Sequence, residues 1–151
     1  MTNIVRLSLS PPNSIIPENE VCIQRLASVL DAAVIDYELD DEGHIYANEG
    51  LESPVVVSLE HNKKLISFAA SAEMDVASSI SVFSRCNEAN SSIWLVQFCW
   101  MPPALWGFYS LPYDGGVDVK HVVKTLRRFA AAFAEGLEIC KRAKADLVLK
   151  I

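Results

Sequence analysis

Residues 92–116, which read SIWLVQFCWMPPALWGFYSLPYDGG, decide the fold prediction for this chain. Two apolar runs, residues 92–101 and 104–111, lie on either side of Pro102-Pro103. Both runs are dense in aromatic and aliphatic side chains, so the pattern predicts a β-hairpin with the two prolines in its loop. The segment also holds every tryptophan of the chain: Trp94, Trp100 and Trp106.

The loop length sets which residues of the hairpin lie opposite each other. If the two prolines form the whole loop, Trp100 lies opposite Leu105 and Phe98 lies opposite Gly107. The same register pairs Val96 with Tyr109 and Trp94 with Leu111. Proline at the second loop position is unfavourable unless its peptide bond is cis, so a longer loop with a shifted register stays open as the alternative. In either register, both faces of the hairpin carry aromatic side chains.

One face of the hairpin is expected to pack on the last helix, and the other face needs a different cover. In the register with a two-residue loop, the more mixed face shows Trp106 and Phe108 beside Cys99. Core packing explains many aromatic runs of this kind, whereas an aromatic face left uncovered is typical of a protein-binding surface. The candidate partner-binding residues are Trp100, Met101, Leu105, Trp106 and Phe108.

The chain before the hairpin predicts a helix followed by four strands. Residues 1–16 are rich in Pro, Ser and Asn and are expected to form a tail, and the segment from Pro17 to about Ala33 has an apolar stripe at helical spacing. Polar turns separate the short apolar runs that follow, which predicts an antiparallel meander. These runs are residues 34–39, 44–47, 54–59 and 65–70.

A second helix is predicted to begin at Ser71 or Asp75 and to end at about Asn87. Its expected core-facing positions are Val76, Ile80 and Phe83.

The last helix is predicted from about Asp118 to Lys144, and residues 145–151 are assigned as a short edge strand. Its apolar stripe consists of Val119, Val122, Leu126, Phe129, Phe133, Leu137 and Cys140. The predicted fold class is therefore α+β, an antiparallel sheet flanked by about three helices. Residues 17–151 are expected to form this single domain.

Composition and charge restrict the possible functions. The chain has 151 residues, of which 51% are hydrophobic and 21% charged, so a folded domain is expected rather than disorder. Its net charge of −6 argues against binding to nucleic acid or to an anionic membrane. Residues 1–60 carry 2 basic and 11 acidic side chains, and residues 117–151 carry 8 basic and 4 acidic. The two ends could attract each other within a subunit or across a dimer, although a solvated helix face is the simpler explanation and is favoured, because exposed charge pairs contribute little each.

The cysteines and histidines form no recognisable reactive motif. No C-x-x-C pair and no histidine at zinc-finger spacing occurs, so the cysteines are interpreted as small buried apolar residues. None of the three histidines, His44, His61 and His121, lies near a cysteine in the sequence, and neither a G-x-S-x-G elbow nor a phosphate-binding glycine pattern is present. No catalytic residue, metal or cofactor is predicted.

No apolar run approaches the length needed to cross a bilayer, and no continuous apolar segment of a signal peptide precedes Pro11-Pro12. The protein is therefore expected to be cytoplasmic, with reduced thiols and without membrane insertion.

Residues 38–49, ELDDEGHIYANE, match part of a calcium-binding EF-hand loop. Acidic residues stand at the first, third, fifth and twelfth places and glycine stands at the sixth. An EF-hand needs a helix on each side, but residues 34–39 alternate as a strand, and glutamate replaces the short aspartate at the first place. The segment is therefore interpreted as a hairpin turn.

Residues 111–118, LPYDGGVD, followed by LRRF at residues 126–129, resemble the YbjN-like family, whose members are described as bacterial sensory transduction regulators. The resemblance covers about Val21 to Cys140 and includes the order of turns and apolar positions. It implies the α+β fold of the type III secretion chaperones and a regulatory role. The chain differs from the family pattern in its proline-bearing hairpin and its N-terminal tail.

Together, the residues and the resemblance predict a non-enzymatic, bacterial, protein-binding regulator or chaperone-like adaptor. It is expected to form a homodimer and to bind a protein client that the sequence does not identify. The alternative function is a small-molecule sensor that holds an apolar ligand between the sheet and the last helix. A closed pocket lined by Trp94, Phe98 and Phe133 would favour the sensor, and an open aromatic sheet face would favour the adaptor.

Overall fold

The computed structural model of the chain describes residues 15–75 and 79–142. The strands are β1 (Ile15–Ile16), β2 (Tyr37–Leu39), β3 (Ile45–Ala47), β4 (Val55–Glu60), β5 (Leu65–Glu73), β6 (Gln97–Met101), β7 (Ala104–Pro112) and β8 (Val117–Asp118). The helices are α1 (Ile23–Ala32), α2 (Ser79–Ser92) and α3 (Val119–Lys141), and a 3₁₀ turn covers Glu18–Glu20.

Six strands form one antiparallel sheet in the order β2-β3-β4-β5-β7-β6, and β1 pairs with β8 in a separate two-stranded ladder. The meander predicted from the short polar turns is present as β2 to β5. The α+β class, with an antiparallel sheet and three helices, is confirmed.

The helices cover one face of the six-stranded sheet. Phe129 of α3 packs beside Phe68 of β5, with ring centroids 6.0 Å apart, and Phe133 packs beside Phe98 of β6 at 6.1 Å. The Phe133 ring lies directly over Gly107 of β7, where a Cβ would come within 2.5 Å of the ring atom Cδ2. The aromatic layer between α3 and the sheet therefore depends on the absence of a side chain at Gly107.

The late hairpin has the register that follows from a two-residue loop. Trp100 pairs with Leu105 and Phe98 pairs with Gly107, and the Pro102-Pro103 peptide bond is cis. The first hairpin strand is shorter than predicted because α2 continues to Ser92 and β6 begins only at Gln97. The expected pairs of Val96 with Tyr109 and Trp94 with Leu111 do not form, and Trp94 is 88% exposed.

The predicted boundaries of the first helix were wrong at its start. Pro17 precedes a 3₁₀ turn rather than the helix itself, and α1 begins at Ile23, after Cys22. The α3 helix begins where the sequence indicated, because the Asp118 side chain accepts a hydrogen bond of 2.8 Å from the Lys120 backbone N–H.

The prediction for the second helix was wrong in its orientation, in its end, which lies at Ser92, and in Ser71 as one of its two proposed starts. The other proposed start, Asp75, stays a prediction because residues 76–78 lie outside the described residues. Residue 71 belongs to β5, and the described part of α2 starts at Ser79. Ile80 and Phe83 were expected in the core but are 80% and 55% exposed. The buried stripe consists instead of the smaller residues Val82, Cys86 and Ala89, and Val76 lies outside the described residues.

The predicted tail is shorter than 16 residues, since Ile15 and Ile16 form β1 and Ile16 is buried. Residues 1–14 of that tail and the edge strand predicted at residues 145–151 lie outside the described residues.

Candidate functional site

The candidate site is the face of the six-stranded sheet that points away from the helices, which we call the open face. Alternation along each strand places every second side chain there, and the register aligns these side chains in rows across the sheet. Its apolar members are Tyr46, Val56, Leu65, Ala69, Cys99, Met101, Ala104, Trp106, Phe108 and Pro112. They are half-buried or exposed, whereas the helix-facing side chains of the same strands are mostly buried.

Trp106 and Phe108 form the centre of the open face. Both project from β7, two residues apart, and their rings stack with centroids 5.8 Å apart and an interplanar angle of 4°. Phe108 is 37% exposed. Ala69 and Ser71 of β5 lie beside the pair, and Trp106 is half-buried.

The structure separates the five predicted partner-binding residues into two groups. Met101, Trp106 and Phe108 lie on the open face. Trp100 and Leu105 point to the helix side, where Trp100 is 5% exposed and Leu105 is fully buried. A folded subunit cannot present these two side chains to a partner, so they belong to the core rather than to a binding surface. The strand alternation explains the difference, since successive residues along a strand point to opposite faces of the sheet.

The fixed charges of the open face are acidic. Among the described strand residues, the charged side chains that point to this face are Glu38, Glu60 and Glu73, without any lysine or arginine. Glu60 is in part neutralised by Lys63 of the following turn, with the ammonium 3.5 Å from the carboxylate. The apolar centre is therefore bordered by negative charge.

The turn from β2 to β3 adds negative charge beside Tyr46. Asp40 accepts hydrogen bonds from the backbone N–H groups of His44 (2.8 Å) and Glu42 (2.9 Å). The hydrogen bond from the His44 backbone, followed by contact with the His44 ring, lowers the pKa of Asp40 to about 2. A hydrogen bond to Asp40 is also the main reason why the pKa of Tyr46 is raised.

This turn occupies the segment that resembles an EF-hand loop. Strands rather than helices flank it, as the alternation of residues 34–39 predicted. Oxygen and nitrogen atoms of Asp40, Glu42 and His44 lie within 4.8 Å of one another. The same atoms bond within the turn, with His44 Nδ1 2.9 Å from Asp40. The cluster is accounted for as the structure of a tight hairpin turn.

The free edge of β6 is partly closed by a side chain from α2. The Asn90 amide donates to the Phe98 carbonyl (3.0 Å), and its carbonyl oxygen accepts from the Phe98 N–H (2.8 Å). This arrangement copies the two bonds of a neighbouring strand at one residue pair. Addition of a foreign strand at this edge would have to displace Asn90.

The pocket required by a small-molecule sensor is not formed by the three aromatic residues proposed for it. Phe98 and Phe133 stack on each other in the core. Phe98 also fills the space above Gly136 of α3, where a Cβ would collide with its ring. Trp94 lies outside this layer and is largely exposed, so the three side chains do not line a common cavity.

The three histidines are separated in the fold. His44 lies in the β2–β3 turn, His61 lies in the β4–β5 turn with Nδ1 3.4 Å from the Tyr113 hydroxyl, and His121 is exposed on α3. None of the helices within residues 15–75 and 79–142 combines the length and the apolar character needed to span a bilayer.

Comparison with known proteins assigns the family. Residues 23–140 match the model of the YbjN family, described as "Putative bacterial sensory transduction regulator". The chain belongs to the YbjN family. The resemblance seen at residues 111–118 and 126–129 is thereby confirmed.

A solved relative shows the same fold. The crystal structure of YbjN from E. coli, titled "a putative transcription regulator", superimposes with a TM-score of 0.69 at 17% identity, over 89% of this chain and 96% of that chain. At this identity the likeness establishes the YbjN fold alone. The search of curated proteins gives no match.

Sequence reasoning missed part of the open face and the edge closure. Tyr46, Val56 and Ala69 join the aromatic pair only through the pairing of β3, β4, β5 and β7. This pairing places Tyr46 and Phe108, which are 62 residues apart in the sequence, on the same face of the sheet. The alternation within each strand was the available signal, but it did not specify the order of the strands. The bond between Asn90 and Phe98 had no signal in the sequence.

Proposed function

We propose that this chain is a non-enzymatic regulator that acts by binding another protein on its open face. The observation that carries the proposal is the stacked pair of Trp106 and Phe108 at the centre of a sheet face that the described helices leave uncovered. Large aromatic side chains with flat, accessible faces dominate the binding energy of many protein interfaces. The family description, a sensory transduction regulator, agrees with a role that requires a partner.

The charges indicate the chemistry of that partner. The apolar centre is bordered by Glu38 and Glu73, and the β2–β3 turn adds Asp40 and Glu42 near Tyr46. A complementary segment has apolar side chains flanked by lysine or arginine. DNA or RNA would bring its phosphates against the carboxylates, so regulation through a protein contact is favoured over direct binding of nucleic acid.

The β6 edge of the sheet indicates how the partner makes contact with this chain. Asn90 occupies the backbone groups of Phe98 on β6, which opposes strand addition at that point. The partner is therefore expected to lie across the open face and to contact side chains rather than the sheet backbone. An adaptor with the secretion-chaperone fold that the resemblance implies would act in this way, in the cytoplasm.

The test compares proteins captured from the native cell by wild type and by a variant with Trp106→Ala and Phe108→Ala. The matched control is Trp94→Ala, which removes an exposed tryptophan outside the sheet. A partner of the open face is retained by wild type and by the control but lost from the double variant. The candidate is then purified and its affinity measured directly.

With the purified partner, the double variant is expected to bind at least about tenfold more weakly, and binding of wild type should weaken as salt is raised. Equal affinity of wild type and double variant would exclude the open face as the binding surface. Salt-independent binding would contradict the basic character assigned to the partner.

A further inference from the structure

Two cysteines that are distant in the sequence meet in the core. Cys86 of α2 and Cys140 of α3 are 54 residues apart, yet their Sγ atoms are 3.8 Å from each other. Both side chains are buried, and both thiols are free. The pair therefore lies where α2 packs on α3, behind the sheet.

The distance between the sulfur atoms is short enough for bond formation without refolding. A disulfide requires a separation of about 2.05 Å, so the two sulfurs must approach by about 1.8 Å. Closing this gap requires rotation of the two side chains and, where rotation is not enough, a slight shift of one helix. We propose that Cys86 and Cys140 are a reversible redox site, which a hydroperoxide converts into a disulfide that links α2 to α3.

The reaction consumes one hydroperoxide for each disulfide. The sulfur of Cys86 attacks one oxygen of the peroxide, and the O–O bond breaks. With hydrogen peroxide, the other oxygen takes up a proton and leaves as water, and Cys86 becomes a sulfenic acid. The sulfur of Cys140 then attacks the Cys86 sulfur, the S–S bond forms, and the sulfenic oxygen leaves as a second water with the Cys140 proton. The two thiols together lose two electrons, and these electrons reduce the peroxide.

The order of the two cysteines follows from their surroundings. Cys140 is fully buried, whereas Cys86 retains a small exposed area. A hydrogen bond from the Cys140 thiol lowers the pKa of Cys86, and the same interaction raises the pKa of Cys140. Cys86 is therefore the attacking sulfur and Cys140 is the resolving one. Because both are buried, the peroxide, which is little larger than water, reaches them through local opening of the α2–α3 contact.

The bond would fix the position of α2 on the edge of the sheet. The same helix carries Asn90, one turn after Cys86, and Asn90 holds the backbone of Phe98 on β6. Linking α2 to α3 therefore also restrains the side chain that closes this edge, so oxidation stabilises the arrangement in which the edge is blocked.

The experiment uses the full chain, reduced, freed of reductant and exposed to hydrogen peroxide, after which free thiols are alkylated in denaturant and peptides are analysed by mass spectrometry. The alkylated thiols are expected to fall from four to two. A peptide linking residues 86 and 140, lighter by two hydrogen atoms than the reduced pair, should appear and should vanish after dithiothreitol. The melting temperature of the oxidised chain should rise by about 5–15 °C.

The control variant, Cys22→Ser with Cys99→Ser, keeps only the proposed pair and should still lose both remaining thiols. A variant with Cys86→Ala should form no intramolecular link at Cys140. Mapping the disulfide in the wild-type chain needs no substitution, so a variant that fails to fold does not affect the decision. Four intact thiols after peroxide treatment, or a first oxidation at Cys22 or Cys99 without the 86–140 link, would overturn the proposal.

Discussion

Replacing Phe133 by alanine should remove the central contact between α3 and the sheet. The Phe133 side chain is 2% exposed, its ring stacks on Phe98 at 6.1 Å, and it fills the space left by Gly107. Gly107 of β7, which lies directly beneath the ring, has no side chain that could move into the vacated volume. The cavity is therefore expected to remain largely open.

The magnitude follows from the area that leaves water. A buried phenylalanine removes at least about 150 Å² from solvent, which at about 25 cal/mol per Å² corresponds to about 4 kcal/mol. The alanine side chain keeps part of this burial energy, whereas the residual cavity adds a further cost. A loss of about 3–5 kcal/mol in the free energy of unfolding is therefore expected. The total free energy of unfolding of a domain of this size is about 5–15 kcal/mol, so the variant should be close to unfolding.

Urea unfolding followed by circular dichroism measures the loss, and Trp106→Ala is the matched control. Trp106 is the larger aromatic residue, but it lies on the open face, so its replacement should cost about 1 kcal/mol or less in the isolated subunit. Similar losses in the two variants would show that the face carrying Trp106 is covered in the folded protein. A loss below about 1 kcal/mol in Phe133→Ala would show that α3 does not pack as described.

Four further outcomes are expected. Light scattering at micromolar concentration should give twice the 16.7 kDa monomer mass, and a monomer at all salt and protein concentrations would contradict dimerisation. Millimolar calcium should leave the melting temperature unchanged, because residues 38–49 form a hairpin turn; a saturable rise would revive the EF-hand interpretation. Gly136→Ala should destabilise the chain by about 1–3 kcal/mol in urea unfolding, despite the higher helix propensity of alanine, since the new methyl group meets the Phe98 ring. The pKa of Asp40 lies below its ordinary 3.8, at about 2. The ionised Asp40 carboxylate therefore stabilises the folded state above pH 3.8, and this contribution is lost as pH falls towards 2. The difference in stability between wild type and Asp40→Asn should accordingly shrink over that interval, and a difference that grows would contradict the assignment.

The sheet could be predicted from the sequence because its signals are local. The period of two and the polar turns predicted the meander. The two-proline loop predicted the observed register, Trp100 with Leu105 and Phe98 with Gly107, as one of two that stayed open. The long apolar stripe likewise located α3, whose buried residues include Phe129 and Phe133.

The orientation of α2 could not be predicted because this helix carries two apolar stripes. Ile80 and Phe83 form the more hydrophobic one, and Val82, Cys86 and Ala89 form a stripe of smaller residues. The structure buries the smaller side chains, which lets α2 approach α3 closely enough for the sulfurs of Cys86 and Cys140 to lie 3.8 Å apart. Hydrophobicity alone favours the opposite choice, so the decisive quantity is the space between two helices, which the sequence of one helix does not contain.

The open face was only half predictable for a related reason. Alternation along β7 shows that Leu105 and Trp106 point to opposite sides, but it does not say which side the helices cover. The fold supplies that information, and with it the reason why Trp106 has no core to enter. The sheet can bind a protein on its free face or by strand addition at the β6 edge, and Asn90 opposes strand addition there. Replacement of Asn90 by alanine should therefore expose the β6 edge to unwanted strand pairing without changing the open face, so the protein should aggregate more readily while a partner that binds Trp106 keeps its affinity.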